Sequence, residues 1–295
     1  MSKIQWTGKT WNVVTGCTKV SAGCERCYAE KMSVRLEAMG SPKYRGITKD
    51  GRWTGTVRCH PKMLDKVPSA KMVFVCSMSD TFHEEVPDDF LDKLFAVMAL
   101  HPKQTFQLLT KRPKRALAYL KSSHYRAEMV GIEAEYRGGL DRYTENLKPT
   151  WPFPLPNLWL GVSVEGPEHK HRIDTLRQTP AAVRFISFEP LLADLGVIDF
   201  TGIHQAILGG ESGPGARPMH PDWVRSVCDQ CVAAGVPFFF KQWGEWAPWD
   251  HRSSTMGYLK QEHNHRSVRV GKKAAGRELD GRVWDQMPAK DGQEE

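Results

Sequence analysis

Apolar residues gather along the chain in short runs of β type, separated by stretches of helical periodicity. The runs are Met72–Cys76 (MVFVC), Thr105–Leu109 (TFQLL), Leu158–Val162 (LWLGV), Val183–Ile186 (VRFI), Gln205–Leu208 (QAIL) and Pro237–Phe240 (PFFF). Such near-continuous runs fit strands covered on both faces, as in a parallel sheet. The earlier run Trp11-Asn12-Val13-Val14 brings the count of expected strands to seven, and an eighth is expected near residue 57. Between the runs, Asp88–Leu100 places Phe90, Leu91, Leu94, Phe95 and Met98 on one helical face. Pro113 opens a second helix with Leu117 and Leu120, and Pro221–Ala234 carries the stripe Val224, Val227, Cys228 and Cys231 up to Gly235. Tyr28, Met32, Leu36 and Met39 predict a first helix, ended by Gly40-Ser41-Pro42.

Strands alternating with helices predict an α/β fold of parallel βα units: a TIM-like (β/α) barrel, complete or partial, ahead of an open doubly wound sheet. The barrel domain is expected over residues 1–249. Charged, Gly- and Pro-rich sequence at 123–157 is expected as an insertion over one end, and the polar residues 250–295 as a tail or lid. The N-terminal residues lack an apolar signal-like core and no run reaches membrane-spanning length, so a soluble, cytoplasmic protein with no membrane partner is expected.

Charge changes the picture modestly. A net charge of +7 and a pI near 9.0 favour anionic partners: nucleic acid, nucleotides or phosphorylated substrates. Several of the ten tryptophans, Trp53, Trp151, Trp243, Trp246 and Trp249, stand among polar residues, where they pin loops or stack on bases.

The candidate chemistry begins in residues 16–30, GCTKVSAGCERCYAE, where Cys17, Cys24 and Cys27 are spaced C-x6-C-x2-C. Clustered thiolates suit zinc or an iron–sulfur cluster. Three of them close no structural zinc site, but they leave one iron of a four-iron cluster open. Two other readings stand beside this: zinc completed by a distant ligand such as His60 or Cys59, or unrelated reduced cysteines. Seven cysteines, an odd and scattered set, argue against a disulfide framework. Cys228 and Cys231 fit the apolar stripe of their helix and read as core.

In parallel barrels the site forms at the carboxyl ends of the strands. Polar residues follow nearly every apolar run there: Ser77, Ser79, Asp80 and His83; Lys111 and Arg112; Ser163 and Glu165; Ser187 and Glu189; Gly209, Gly210 and Glu211; Lys241. Burying charges is costly, so a row of them at strand ends points to a site; the bland counterpart is an internal salt-bridge network. Lys111 and Arg112, leading into a helix, are candidate substrate anion contacts.

Several long motifs in order, IQWTGKTWNVVTGCTKVSAGCERCYAE, FVCSMSDTFHEEVP, TFQLLTKRPKR, LWLGVSVE, RFISFEPLL, ILGGESGPGARPM, PFFFKQWG and GRELDGRVWDQMP, cover nearly the whole chain. By them the chain resembles an uncharacterised, phage-associated family of three-Cys-motif proteins, which is similar to radical SAM enzymes. That likeness implies a 4Fe-4S cluster on Cys17, Cys24 and Cys27, with S-adenosylmethionine on the open iron, an electron donor, and cleavage of the cofactor to a 5′-deoxyadenosyl radical. It also implies cofactor contacts among Ser77, Asp80, Ser163, Glu165, Ser187, Gly209, Gly210 and Glu211, with Glu189, Glu211 and Lys241 as catalytic candidates. The chain departs from the usual C-x3-C-x2-C spacing, Tyr28 follows its last cysteine, and its Gly-Gly-Glu segment comes late. The function expected is a radical-SAM-like enzyme modifying nucleic acid or a nucleotide. The alternative is a non-catalytic barrel, stabilised by zinc or a structural cluster, that binds nucleic acid or a partner protein.

Overall fold

Seven strands form a parallel sheet in which strand order follows chain order: β1 (Lys9–Trp11), β2 (Met72–Val75), β3 (Thr105–Thr110), β4 (Leu158–Ser163), β5 (Val183–Phe188), β6 (Gln205–Gly209) and β7 (Phe238–Gln242). Trp11 pairs with Val75, Val75 with Leu108, Leu108 with Leu160, and Leu208 with Phe240. The computed structural model describes residues 4–122, 152–248, 262–263 and 267–289. Most of the expected insertion, residues 123–151, lies outside them.

Among the described residues the longer helices are α1 (Tyr28–Ala38), α2 (Asp88–Ala99), α3 (Pro113–Lys121), α4 (His171–Arg177) and α5 (Pro221–Ala233). The expected apolar face of α2 is buried in full, and so is the stripe of α5, including Cys228 and Cys231. Each large side chain removed from water in this way contributes about 1.5–3 kcal/mol.

Contacts divide the chain into two compact units. The first comprises residues 1–20, 27–162 and 175–184, and the second 21–26, 163–174 and 185–295. In the first, Trp11, Val73, Phe106, Leu108 and Leu160 are fully enclosed; in the second, Phe185, Phe188, Ile207, Phe238 and Phe240 are.

Three expectations meet a different outcome. The run Trp11–Val14 is not one strand: β1 ends at Trp11, and Val14–Thr15 pairs antiparallel with Arg58–Cys59, so the short strand near residue 57 adds nothing to the parallel sheet. Thr15 fixes that detour, bonding His60 at 2.8 Å and the Lys43 carbonyl at 3.0 Å. In α1 the buried residues are Ala29, Glu30 and Ser33, while Tyr28, Met32 and Met39 are exposed. Small side chains and the pairing of Glu30 set that inner face, overriding the apolar periodicity. Within the expected tail, Ser267–Arg269 pairs with Trp246–Pro248, and the Phe240 N–H donates to the Trp284 carbonyl at 2.9 Å. Residues around 284 thus extend the hydrogen bonding of β7.

Candidate metal-loop and strand-end site

The thiol loop leaves β1 through Gly16, whose φ is +87° and whose added Cβ would lie 2.0 Å from the Thr56 carbonyl oxygen. Only glycine fits such a position. Gly16 bridges Ser79, and the Ser79 hydroxyl donates to the Val14 carbonyl at 2.8 Å. The loop therefore departs alongside the residues that follow β2, as its place after the first strand requires.

In the first unit the site is organised by Arg112 and Asp80, both buried. Asp80 accepts from the Thr110 hydroxyl at 2.7 Å, from the N–H groups of Phe82 and Lys111 at 3.0 Å each, and from Arg112 at 3.2 Å. Arg112 also donates to Glu84 at 2.7 Å, to the Thr18 hydroxyl at 2.6 Å and to the Cys17 sulfur at 3.7 Å. Burial works against the Arg112 charge, but Asp80, Cys17 and Glu84 together hold its pKa above the ordinary value. The Cys17 thiol is pushed up to about 12, chiefly by burial and then by Asp80; Arg112 opposes the shift and Cys27 adds to it. Cys27 is the N-cap residue of α1. Ser77 donates to the Asn12 side chain at 3.1 Å, and its carbonyl accepts from the Tyr28 hydroxyl.

A cleft of about 260 Å³ opens beside Cys17, lined by Thr18, Lys19, Glu30, Arg52 and Trp53 among others. Glu30 is buried there, paired with Lys19 at 2.9 Å and accepting from the Trp53 N–H at 2.8 Å.

In the second unit the loop residues 21–26 are held by two other arginine–carboxylate pairs. Ser21 donates to Glu165 at 2.8 Å, and Glu165 is paired with Arg172 at 2.9 Å. A Cβ on Gly23 would strike Glu165 at 2.6 Å. Cys24 lies 3.6 Å from the Ser21 hydroxyl. Glu211 accepts from the Arg217 backbone N–H at 2.8 Å and from its guanidinium, which also donates to the Ala22 carbonyl at 2.9 Å. Lys241 pairs with Glu189, not with Glu211. Gly210 and Gly244 have a packing reason to be glycine: a Cβ on either would meet a backbone carbonyl oxygen, of Trp243 at 2.1 Å or of Glu211 at 2.0 Å. At Gly209 a Cβ meets only ordinary contacts. Ser163 and Ser187 are buried, their carbonyls accepting from Arg172 at 2.7 Å and from the Val164 N–H at 2.9 Å.

The sequence-predicted residues thus do stand at strand ends, but their carboxylates are satisfied internally: Asp80, Glu165 and Glu211 by arginines and Glu189 by Lys241. Arg112 faces inward, onto Asp80 and Cys17. None of the seven cysteines is in a disulfide. Cys17 and Cys27 belong to the first unit and Cys24 to the second, and among the described residues no group of three His, Cys, Asp or Glu side chains converges as a metal site. Sequence reasoning missed Thr18, Lys19, Glu30 and Arg52 as cleft residues, and Arg172 and Arg217 as ion-pair partners. The signal for the cleft was Asp50-Gly51, a hairpin turn that presents Arg52 and Trp53.

Among the described residues no helix is long and apolar enough to cross a membrane. Residues 1–288 match the profile of a family described as "Protein of unknown function (DUF5131)". No curated protein and no solved structure matches the chain.

Proposed function

The chain belongs to the DUF5131 family, and we propose that it is a radical-SAM-like iron–sulfur enzyme, built on a partial TIM-like barrel, that acts on a nucleic acid or nucleotide. The observation that carries this reading is the donor set: three thiols in the loop that follows the first of seven parallel strands. Cys17, Cys24 and Cys27 would hold the cluster, and soft thiolates suit iron. Cys27 adds to the pressure against ionising Cys17, a repulsion that a cationic centre shared by both sulfurs relieves. When bound, a cluster with one open iron supplies a site for S-adenosylmethionine and the electron that cleaves it.

The chain's own residues support that chemistry in distinct ways. Arg112 donates to the Cys17 sulfur and is itself aimed by Asp80. Ser21 and Arg217 hold the Cys24 segment through Glu165 and the Ala22 carbonyl. With Glu211 committed to Arg217, the partly exposed Glu189–Lys241 pair is the better partner for a zwitterionic methionine group. The internally satisfied carboxylates favour a second reading, a non-catalytic protein stabilised by zinc or a structural cluster that binds nucleic acid or a partner protein.

Metal analysis and the visible spectrum of anaerobically purified protein separate the two. Iron and a brown colour, both lost in Cys24→Ala and kept in Cys228→Ala, are expected. Release of 5′-deoxyadenosine from the reduced protein mixed with S-adenosylmethionine is expected as well. Colourless, zinc-loaded protein favours the second reading. A loaded, reducible cluster that neither binds nor cleaves S-adenosylmethionine removes the enzymatic one.

A further inference from the structure

We propose that the cleft beside Cys17 receives one nucleotide unit, with its base against Trp53 and its phosphate at Arg52 and Lys19. This rests on the reading of the protein as one that acts on nucleic acid or a nucleotide, and it moves the substrate contact away from Lys111 and Arg112. Arg112 is enclosed by Asp80, Glu84 and Thr18 and offers little to a phosphate.

Thr18 is on the cleft lining, next to Cys17. Its hydroxyl oxygen accepts from Arg112 at 2.6 Å and lies 2.8 Å from His83 Nε2. His83 Nδ1 accepts the Glu85 backbone N–H at 3.1 Å, so the neutral ring carries its proton on Nε2 and donates it to Thr18. With both acceptor positions of its oxygen filled, Thr18 has its own proton to donate, and no described protein acceptor takes it. Thr18 lines the cleft, its methyl carbon nearest Gly55 on the lining, and Arg112 and His83 fix its hydroxyl behind that wall.

The remaining lining narrows the ligand. Lys19 is matched by Glu30, which the Trp53 N–H holds in place. Arg52 is exposed and paired with no described carboxylate, so the cleft carries one cation in excess. Trp53 is half-buried on the same wall, an aromatic surface on which any base stacks. An aromatic residue and an excess cation on one lining together suit a flat group that carries a phosphate. At 260 Å³ the space is below the roughly 300–1,000 Å³ of drug-sized sites.

The test is calorimetric titration of the purified full-length chain with AMP, adenosine, inorganic phosphate and a short single-stranded oligonucleotide. AMP or the oligonucleotide is expected to bind, and adenosine and phosphate to bind at least about tenfold more weakly. If the oligonucleotide binds more tightly, the source is a strand; if AMP does, it is a free nucleotide. Trp53→Ala is expected to weaken binding by about tenfold or more, the scale of base–aromatic stacking, and Trp53→Phe to retain most of it. Trp53 also packs against the cluster of Ala29, Tyr44 and Met78, so circular dichroism checks its fold. The exposed Arg52→Ala gives an independent arm, with weaker binding and a flatter salt dependence. Phosphate binding as tightly as AMP, no binding by any of the four probes, or unchanged AMP affinity in folded Trp53→Ala and Arg52→Ala overturns the inference. Iron assayed on the same preparations judges the cluster separately. Iron-free protein that binds AMP leaves this inference standing without the other, and iron-loaded protein that binds none of the probes sinks it alone.

Discussion

Each unit holds its part of the thiol loop by the same device, an arginine on a carboxylate, and the pairs differ in depth. In the first, Arg112 and Asp80 are both enclosed, and every oxygen and nitrogen in the pair has a further partner. In the second, Glu165 and Arg172 beneath Ser21 are as enclosed, but Arg217 is about a quarter exposed and reaches from Glu211 to the Ala22 carbonyl and the exposed Glu25. Depth sets how much each pair contributes. A buried charge left without its partner has no water to turn to, whereas a partly exposed one rehydrates. The Cys17 part of the loop and Ser21 are thus fixed by enclosed pairs, whereas Ala22 is held by the shallower one, through a bond that solvent can replace.

The largest effect is expected from removing the deeper carboxylate. Asp80→Ala leaves the buried Arg112 guanidinium with the largely exposed Glu84 as its carboxylate partner, and a loss of about 3–5 kcal/mol in urea unfolding is expected. A loss below about 1 kcal/mol would show that water reaches Arg112 and that the two pairs are alike. Arg217→Ala is expected to cost less, about 1–2 kcal/mol, because Glu211 loses charge-assisted bonds at a site water can enter. The same unfolding measurement checks the ranking. The smallest effect belongs to a pair exposed on both sides, Arg225 with Asp280 at 2.7 Å. The Arg225 hydrogen bond holds Asp280 below the usual carboxylate range. Its stabilisation is therefore full above an unfolded pKa near about 3.9 and is lost as pH falls through the lower folded value. Arg225→Ala should remove only about 0.2–1 kcal/mol at neutral pH and nothing once Asp280 is protonated in both states. Melting temperatures of both proteins at pH 7 and at pH 2 test this, and a difference that persists at pH 2 would assign the effect to packing.

How far the sequence foretold these features depends on the range of the forces involved. The parallel strands were legible because a strand buried on both faces must be apolar throughout, and that leaves a continuous run such as Thr105–Leu109. The positions of Asp80 and Arg112 were legible too, as the ends of neighbouring strands. Their pairing was not drawn from the sequence, though adjacency of β2 and β3 brings the two ends together. The inner face of α1 was misread because Glu30, a charged residue, is buried through Lys19 and the Trp53 N–H, partners that periodicity does not see. The cleft was missed because one wall comes from a six-residue hairpin, Thr48–Trp53, too short for any pattern except its Asp-Gly turn, and the other from the thiol loop and α1.

The contact of Gly16 with the Thr56 carbonyl has a consequence for inheritance and for engineering. A loop with three thiols looks portable, a short cassette to be moved between proteins. Yet the residue that opens the cassette is sized to a carbonyl forty positions later in the chain. The loop and the segment at Thr56 that leads into the Arg58–Cys59 strand must therefore change together or stay as they are. A graft that carries residues 16–30 alone would leave its glycine turning against nothing, and the smallest transferable piece runs from β1 to the strand at Arg58–Cys59.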